Sequence, residues 1–439
     1  MRIYSLIEII ALITATPYFL NKLEGSRYQS MFSSYLSVAY TATRIVFLGI
    51  ATSSASTSSP STRIRRSVVL LIILLFFLAL SPILPFQGGR FFSFVIANDV
   101  IQSGVVAYLQ TAVIGLAALF GPQALQSTFS GQAGLQWLYQ YFNYCVLIAP
   151  SLPQGTKYGR SLALSAYLFF GISTGYMLLA LVAHTLLVRT PAYQKVMEPF
   201  EEARRALREG ETSQAIAASE TDPLLSRYNR SRPVAKTSLW EIAKANIVYN
   251  VALACVLAIT LSVFPPITST ILSVNPPSWD IITSPVMFIS FHFLLFNTGD
   301  WFGRYLCSFP TLLVWSPWKL LWYSLLRSLF ILVFLACNVS ISASSPLLST
   351  PLFGTRTPIV NSDLAYFAIV LAFGASNGYL ASMGIIAASS LDHNEAVKEE
   401  NVESAATVAQ FCLIGGLFVG SMMSFWVRSI VCKCNPFIG

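Results

Sequence analysis

Apolar runs of membrane length recur from one end of this chain to the other. They cover Ile3–Leu20, Met31–Ile50, Ser67–Pro85, Val95–Leu119, Ser127–Ala149 and Ser161–Val188, then Ile247–Ile267, Val286–Leu306, Leu320–Cys337, Ala365–Ala388 and Ala405–Ile430. A helix crosses the bilayer core with about 20 such residues. Eleven spans would therefore use roughly half of the 439 residues. The expected fold is all-α, a polytopic membrane helical bundle of about eleven transmembrane helices. Composition agrees: 55% of residues are apolar and 10% charged, against about 45–50% and about 25% in soluble proteins. A soluble globular enzyme, a disordered chain and a fibrous repeat are excluded. The net charge of +8 is small for this length and fits cytosolic loops better than nucleic-acid binding. The seven cysteines are scattered, mostly in apolar runs, and imply no disulfide framework.

The runs fall into a block of six and a block of five around a polar insert, Arg189–Lys244. The expected organisation is an N-terminal six-helix bundle (1–188), a largely flexible cytosolic loop (189–244) and a C-terminal five-helix bundle (245–439). Within the insert, Glu201–Glu211 could form a short charged helix. The insert carries ten Lys and Arg residues, and the Ser/Thr/Ala-rich stretch Ala51–Thr62 ends in a cluster of three, Arg63, Arg65 and Arg66. With eleven spans, both basic regions lie on one side, which the positive-inside rule makes cytosolic together with the N-terminus. The run Ile3–Leu20 has no small-residue cleavage site and is followed by Lys22, Glu24 and Arg27, so it is read as a span rather than a leader.

Charges inside apolar runs carry the functional signal, because each costs at least a few kcal/mol at the bilayer centre unless paired or wetted. Asp300 and Arg304 stand at i,i+4 in Phe296-Asn297-Thr298-Gly299-Asp300-Trp301-Phe302-Gly303-Arg304, one turn apart on one helix face. A salt bridge that only lets the helix insert would look the same; lining a transport pathway is favoured, and Trp301 with the glycines supports close helix approach. Arg327 sits mid-run with no carboxylate within a turn. Its partner comes from another helix or a substrate, unless it snorkels to an interface. Arg44 and Arg428, near the ends of their runs, are expected to snorkel. Asp99, after Asn98, is expected at the interface. His184 and His292 are expected to pack. Gln110, Gln132 within Ser130-Gly131-Gln132-Ala133-Gly134, and Asn377 within Ser376-Asn377-Gly378-Tyr379 are amides in apolar surroundings. The small residues around them read as helix packing, and the amides as candidates to face a cavity. With three histidines and no pair at metal spacing, no metal or other cofactor is expected. No nucleophile-elbow or phosphate-loop motif occurs. A bundle with buried polar side chains and no energy-coupling domain reads as a secondary carrier rather than an enzyme.

These residues resemble the equilibrative nucleoside transporters over nearly the whole chain, closest in appearance to the vacuolar transporters of fungi. The resemblance rests on Phe296-Asn297, Asp300-Trp301 and Gly303-Arg304 in the eighth span, Arg327 and Cys337-Asn338-Val339 in the ninth, and Ser376-Asn377-Gly378-Tyr379-Leu380-Ala381-Ser382 in the tenth. Gln110, Gly115, Pro122 and Ser130-Gly131-Gln132 extend it to the fourth and fifth, and Thr14-Ala15-Thr16-Pro17-Tyr18-Phe19 to the first. It implies an alternating-access carrier of nucleosides, sometimes nucleobases, with a major-facilitator-like six-plus-five arrangement. Gln110 would bind the base; Asp300 with Arg304 would bind the ribose hydroxyls or organise that pocket. Arg327, Asn377 and Gln132 complete the expected substrate site, and Arg65, Trp301 and Gly303 have gating or structural roles. Nucleoside and membrane lipid are the implied partners. The family's first helix begins with Leu-Pro-Trp-Asn, where this chain has Ile9 and Ile10. Either a substrate contact is lost or the chain start lies elsewhere, and a transport-dead or regulatory protein of the same fold is the second reading.

Glu220-Thr221-Asp222-Pro223-Leu224-Leu225 is an acidic-dileucine pattern in the insert. Adaptors read such patterns, which favours a vacuolar or lysosomal membrane over the plasma membrane. Replacing Leu224 and Leu225 by Ala should move a tagged protein toward the cell surface in fluorescence microscopy; an unchanged distribution would remove Glu220, Leu224 and Leu225 from the sorting argument.

Overall fold

The computed structural model describes residues 32–54, 59–81, 88–148, 158–199, 238–264, 267–276, 281–338 and 359–432, with a few isolated positions between them. The first run apart from Phe19, the residues Ile9 and Ile10, and Glu220, Leu224 and Leu225 lie outside the described residues. The described chain is helical. Its elements are α1 (Phe32–Ser53), α2 (Pro60–Leu80), α3 (Gly88–Leu119), α4 (Pro122–Ile148) and α5 (Tyr158–Val188). There follow α6 (Pro191–Pro199), α7 (Leu239–Ala245), α8 (Ile247–Val263), α9 (Pro285–Leu306), α10 (Pro317–Leu326), α11 (Leu329–Leu335), α12 (Asp363–Ala388) and α13 (Val402–Cys432). Among the described residues, five helical segments are long and apolar enough to cross a membrane, or six if the bent pair α5–α6 counts as one.

Several helices outrun the hydropathy that announces them. α3 starts at Gly88 rather than Val95 and has 32 residues, a rise of about 48 Å against a hydrocarbon core of about 30 Å. Its ends must stand in the headgroups or in protein. The insert does not begin as a linker: Pro191–Pro199 forms a helix bent 72° from the end of α5. It buries Tyr193 and Met197, with Tyr193 against Phe120 at 5.6 Å between ring centroids. Nor is the ninth run one regular helix. Across Arg327 and Ser328 the amides bond three residues back, Ser328 N to Leu325 O at 2.9 Å and Phe330 N to Arg327 O at 3.0 Å. This is a 3-10 interruption of the kind that marks functional hinges.

α1 and α2 pack on α3, with α5 behind α2, and α4 runs along α9. α8 touches α10, α12 and α13, and α13 also reaches α3 and α1. Two pairs are closest. α9 and α12 meet at Gly299, Gly303, Gly374 and Gly378: a methyl on any one would strike a carbonyl oxygen of the facing helix, those of Leu371, Ala375, Phe296 and Asp300 in turn. α8 and α13 repeat the device, with Gly416 on the carbonyl of Ala254 and Gly420 on that of Ala258. In lipid, where no hydrophobic force pulls helices together, small residues four apart supply the contact area. Backbones this close also form Cα–H···O contacts.

Gly378→Ala should therefore destabilise the protein by ~1–3 kcal/mol, since the added methyl meets backbone that cannot swing aside. Gly131→Ala, where nothing lies within 4 Å, should be neutral or better. Thermal unfolding of the two variants in detergent, followed by size-exclusion fluorescence, checks the contrast.

Candidate functional site

Because the glycines bring α9 and α12 to backbone contact, their polar side chains meet in the interior. Asp300 is 4% exposed and its two oxygens are engaged separately. Oδ2 accepts from Arg304 Nε at 2.8 Å; Oδ1 accepts from Asn377 Nδ2 at 2.6 Å. Asn377 then uses its own oxygen to accept from Thr260 Oγ1 at 2.8 Å and from Arg327 Nη1 at 3.2 Å. Arg327, buried in the 3-10 break, also donates through Nη2 to Thr260 Oγ1 at 2.9 Å and to Phe373 O at 3.4 Å, and through Nη1 to Val256 O at 3.4 Å. Its guanidinium stands 4.8 Å from the centre of the Phe373 ring, a cation–π distance. Four expected residues, Asp300, Arg304, Arg327 and Asn377, thus form one network, joined by Thr260.

The network has one carboxylate and two guanidinium groups. Asp300 neutralises Arg304 directly, while both terminal nitrogens of Arg327 are held by dipoles of α8 and α12 and its Nε has no hydrogen-bond partner among the described residues. A carboxylate offers about four lone-pair sites. Two are used here, so Asp300 has capacity for two hydroxyl donors. Arg327 has spent most of its fork on protein atoms, which makes it a positioning group for Asn377.

Gln110 lies in a second cluster. Buried on α3, it accepts from Arg44 Nη2 at 2.7 Å, and Arg44 also holds the hydroxyl of Tyr40. Arg44 therefore turns inward, contrary to the snorkelling expected of it. Gln132 is half-buried on α4, two positions before Gly134, where an added Cβ would stand 3.3 Å from Trp301 Nε1. Trp301 is 38% exposed, its ring 5.6 Å from that of Trp137, while Trp137 Nε1 donates to Thr298 at 2.9 Å. Gly303 lies on the Ala375 carbonyl. These positions join α4 to α9.

Of the basic cluster at the start of α2, Arg65, given a gating or structural role, and Arg66 are exposed, whereas Arg63 is buried. Arg63 donates to Ala51 O at 3.0 Å and pairs with Glu403 of α13 at 3.8 Å. The Glu403 side chain fills the space over Gly115 of α3, 2.7 Å from where a Cβ would stand. The signal was present in the sequence, since Arg63 shares the buried stripe of α2 with Ser67, Leu71, Leu74 and Leu78, the 3.6-residue period that Arg65 and Arg66 miss. Asp99 was also misplaced by its sequence position, being fully buried rather than interfacial.

Residues 96–429 match the family model described as nucleoside transporter. Equilibrative nucleoside transporter 1 of Mus musculus is 26% identical over 389 residues, covering 85% of this chain and 77% of the mouse protein. The Homo sapiens protein of the same name is 24% identical over 389 residues, covering 84% and 76%. Equilibrative nucleoside transporter 2 of Mus musculus is 32% identical over 203 residues, covering 45% and 39%. The crystal structure of the E. coli fucose:proton symporter superposes with a TM-score of 0.51 at 13% identity, covering 99% of this chain and 94% of that one. This likeness gives the major-facilitator-like fold. The chain belongs to the nucleoside transporter family and is a multi-pass integral membrane protein that transports nucleosides.

Asn377→Ala would leave Asp300 Oδ1, Thr260 and Arg327 short of a partner, at about 1–3 kcal/mol or more for charged groups. Thr260→Val removes one hydroxyl and should cost less. Unfolding temperatures in detergent should fall in that order; equal losses would show that Asn377 is not the junction.

Proposed function

We propose that this transporter works by alternating access, with Asp300 and Arg304 receiving the ribose of the nucleoside and Gln110 its base. The supporting observation is the half-used Asp300 carboxylate: held by Arg304 and Asn377, it retains acceptor sites for a vicinal diol. Gln110 carries an amide that both donates and accepts, as a base edge requires. Asn377 and Arg327 keep Asp300 in place, and Gln132 is assigned to the substrate path. The moving bodies are taken as residues 1–188 and 245–439, joined by the cytosolic loop 189–244. The Arg63–Glu403 pair, which ties α2 to α13 beside Gly115, supports a latch on the side that carries the loop, with Trp301 and Gly303 keeping α9 against its neighbours. We place the carrier in a vacuolar or lysosomal membrane, with an adaptor at Glu220, Leu224 and Leu225; the dileucine pattern is what favours this.

Uptake of labelled uridine and adenosine into proteoliposomes tests the site. Asp300→Asn keeps the shape but exchanges an acceptor for a donor. It should lose uptake at normal incorporation, with a smaller loss for a 2′,3′-dideoxynucleoside. Arg304→Leu and the double variant should lose uptake as well. Near-normal uptake in the double variant would assign the pair to folding alone, because the direct ion pair is then removed whole and the net charge of the network is unchanged.

A further inference from the structure

One ionisable group inside the membrane has no part in the site described above. Asp99 lies in the twelfth position of the 32-residue α3 and is 0% exposed. Among the described residues neither of its oxygens has a hydrogen-bond partner, and neither does Oε1 of Gln102, also 0% exposed. Residues 99 and 102 are i,i+3 neighbours, close enough on a helix for side chains to meet. Their surroundings are otherwise built: Asn98 Nδ2 donates to Leu74 O of α2 at 3.3 Å, Gln102 Nε2 bonds Asn98 Oδ1, and Ser103 Oγ donates to Tyr40 O of α1 at 2.9 Å.

Three buried acceptors crowd together here without a donor. An ionised carboxylate in that position would have neither water nor a counter-charge, which hydrocarbon makes expensive. One added proton removes the charge and supplies a donor, leaving a single carboxyl oxygen as unpartnered acceptor. Protonated Asp99 is neutral and becomes an O–H donor, and the unsatisfied Gln102 oxygen is the acceptor one turn away. The charged and titratable groups on the packed elements do not replace that proton. From α1 they are Tyr35, exposed and against the Phe92 ring, and Tyr40 and Arg44, which hold each other, Arg44 also holding Gln110. From α2 they are Arg63, paired with Glu403, and the exposed Arg65 and Arg66, all in its first two turns, whereas Asn98 reaches α2 at Leu74. From α13 the described groups are Glu403, beside Gly115, about 24 Å further along α3, and the half-buried thiol Cys412; the side chain of Arg428 lies outside the described residues.

We propose that Asp99 is a proton-binding site that couples nucleoside movement to a proton gradient. In each cycle the carboxylate takes one proton from the compartment it faces, crosses as the neutral acid, and releases the proton on the other side. Because the nucleoside is neutral, one positive charge moves per turnover. The link to substrate runs through α1: Ser103, one turn after Asp99, is tied to Tyr40, Tyr40 to Arg44, and Arg44 to Gln110. A change of charge at Asp99 therefore acts on the packing that holds the proposed base-binding amide. This inference rests on the transporter reading but not on the role given to Asp300.

The test uses the full chain in proteoliposomes, wild type and Asp99→Asn, with labelled uridine. Counterflow without any gradient reports transport alone and should survive in both proteins. An imposed difference of one pH unit should drive accumulation in the wild type toward a limit of about tenfold, the ratio equivalent to about 1.4 kcal/mol, and an imposed membrane potential should add to it. Asp99→Asn should equilibrate uridine without accumulating it. Infrared spectra should show a protonated-carboxyl band in the wild type that is missing from the variant, a readout independent of transport. Counterflow without pH-driven accumulation in the wild type would overturn coupling. So would accumulation that persists in Asp99→Asn. Accumulation driven by a sodium gradient and lost in Asp99→Asn would assign the cluster to a metal cation and overturn the proton. Absence of counterflow with the carboxyl band intact would fault the reading of the site, not the protonation of Asp99.

Discussion

The contact of α9 and α12 at the level of their backbones is the constraint from which the polar interior follows. Gly299, Gly303, Gly374 and Gly378 each lie over a carbonyl of the opposite helix, so the axes come closer than any side chain would allow. Only at that separation does the short Asn377 side chain reach Asp300 at 2.6 Å. The same residues serve both ends. Asp300 gives its carbonyl as the surface on which Gly378 rests, and its carboxylate to Arg304 and Asn377 one side-chain length away. Packing and polar chemistry are one arrangement here, and neither is adjustable alone.

That proximity also explains how two guanidinium groups survive near one carboxylate. Arg304 pairs with Asp300 directly. Arg327 enters where the helix tightens, and the carbonyls of Val256 and Phe373, the Thr260 hydroxyl and the Asn377 oxygen surround it. An arginine fork suits such a cage, because its donors are planar and fixed while its charge is weakly hydrated. A lysine would concentrate the same charge on one atom and leave part of the cage empty. The 3-10 break is what turns Arg327 toward α8 and α12, so a local backbone irregularity is part of the electrostatics.

Much of this was legible in the sequence, and the failures share a cause. Asp300, Arg304, Arg327 and Asn377 announced themselves because polar groups in hydrocarbon are costly enough to need a reason. Thr260 did not, since a threonine in a span ordinarily bonds its own helix; here Val256 O at 2.7 Å and Asn377 Oδ1 at 2.8 Å share its single hydroxyl proton, and the sequence gives no outward sign of the second partner. Arg44 and Asp99 were misjudged because their depth was read from distance along an apolar run. α3 begins seven residues before its run, so Asp99 is buried by neighbours that hydropathy does not register. Helical period would have served better than depth at α2, where the stripe containing Ser67 and Leu71 selects Arg63.

α8 connects the parts. On one side Ala254 and Ala258 lie under Gly416 and Gly420 of α13; on another Val256 and Thr260 hold Arg327 and, through it, Asn377 and Asp300. At its start Asn246 bonds the last turn of α12 through Ala388 O at 3.2 Å and is held by Asn394 at 2.8 Å. α13 in turn carries Glu403 to Arg63 of α2. Contacts of backbone on backbone transmit displacement without loss, because packed interiors deform little. In the proposed ribose site, hydroxyls taking the free lone pairs of Asp300 draw on the carboxylate that Arg304 and Asn377 hold, and any shift of Asn377 is felt at Thr260 on α8. From there the glycine contacts lead along α13 to the pair that ties α13 to α2. Coupling also requires that the two ends have discrete alternatives, and the structure contains a candidate at each: the 3-10 segment at Arg327, which a regular helix could replace, and the ion pair at Glu403, which can break.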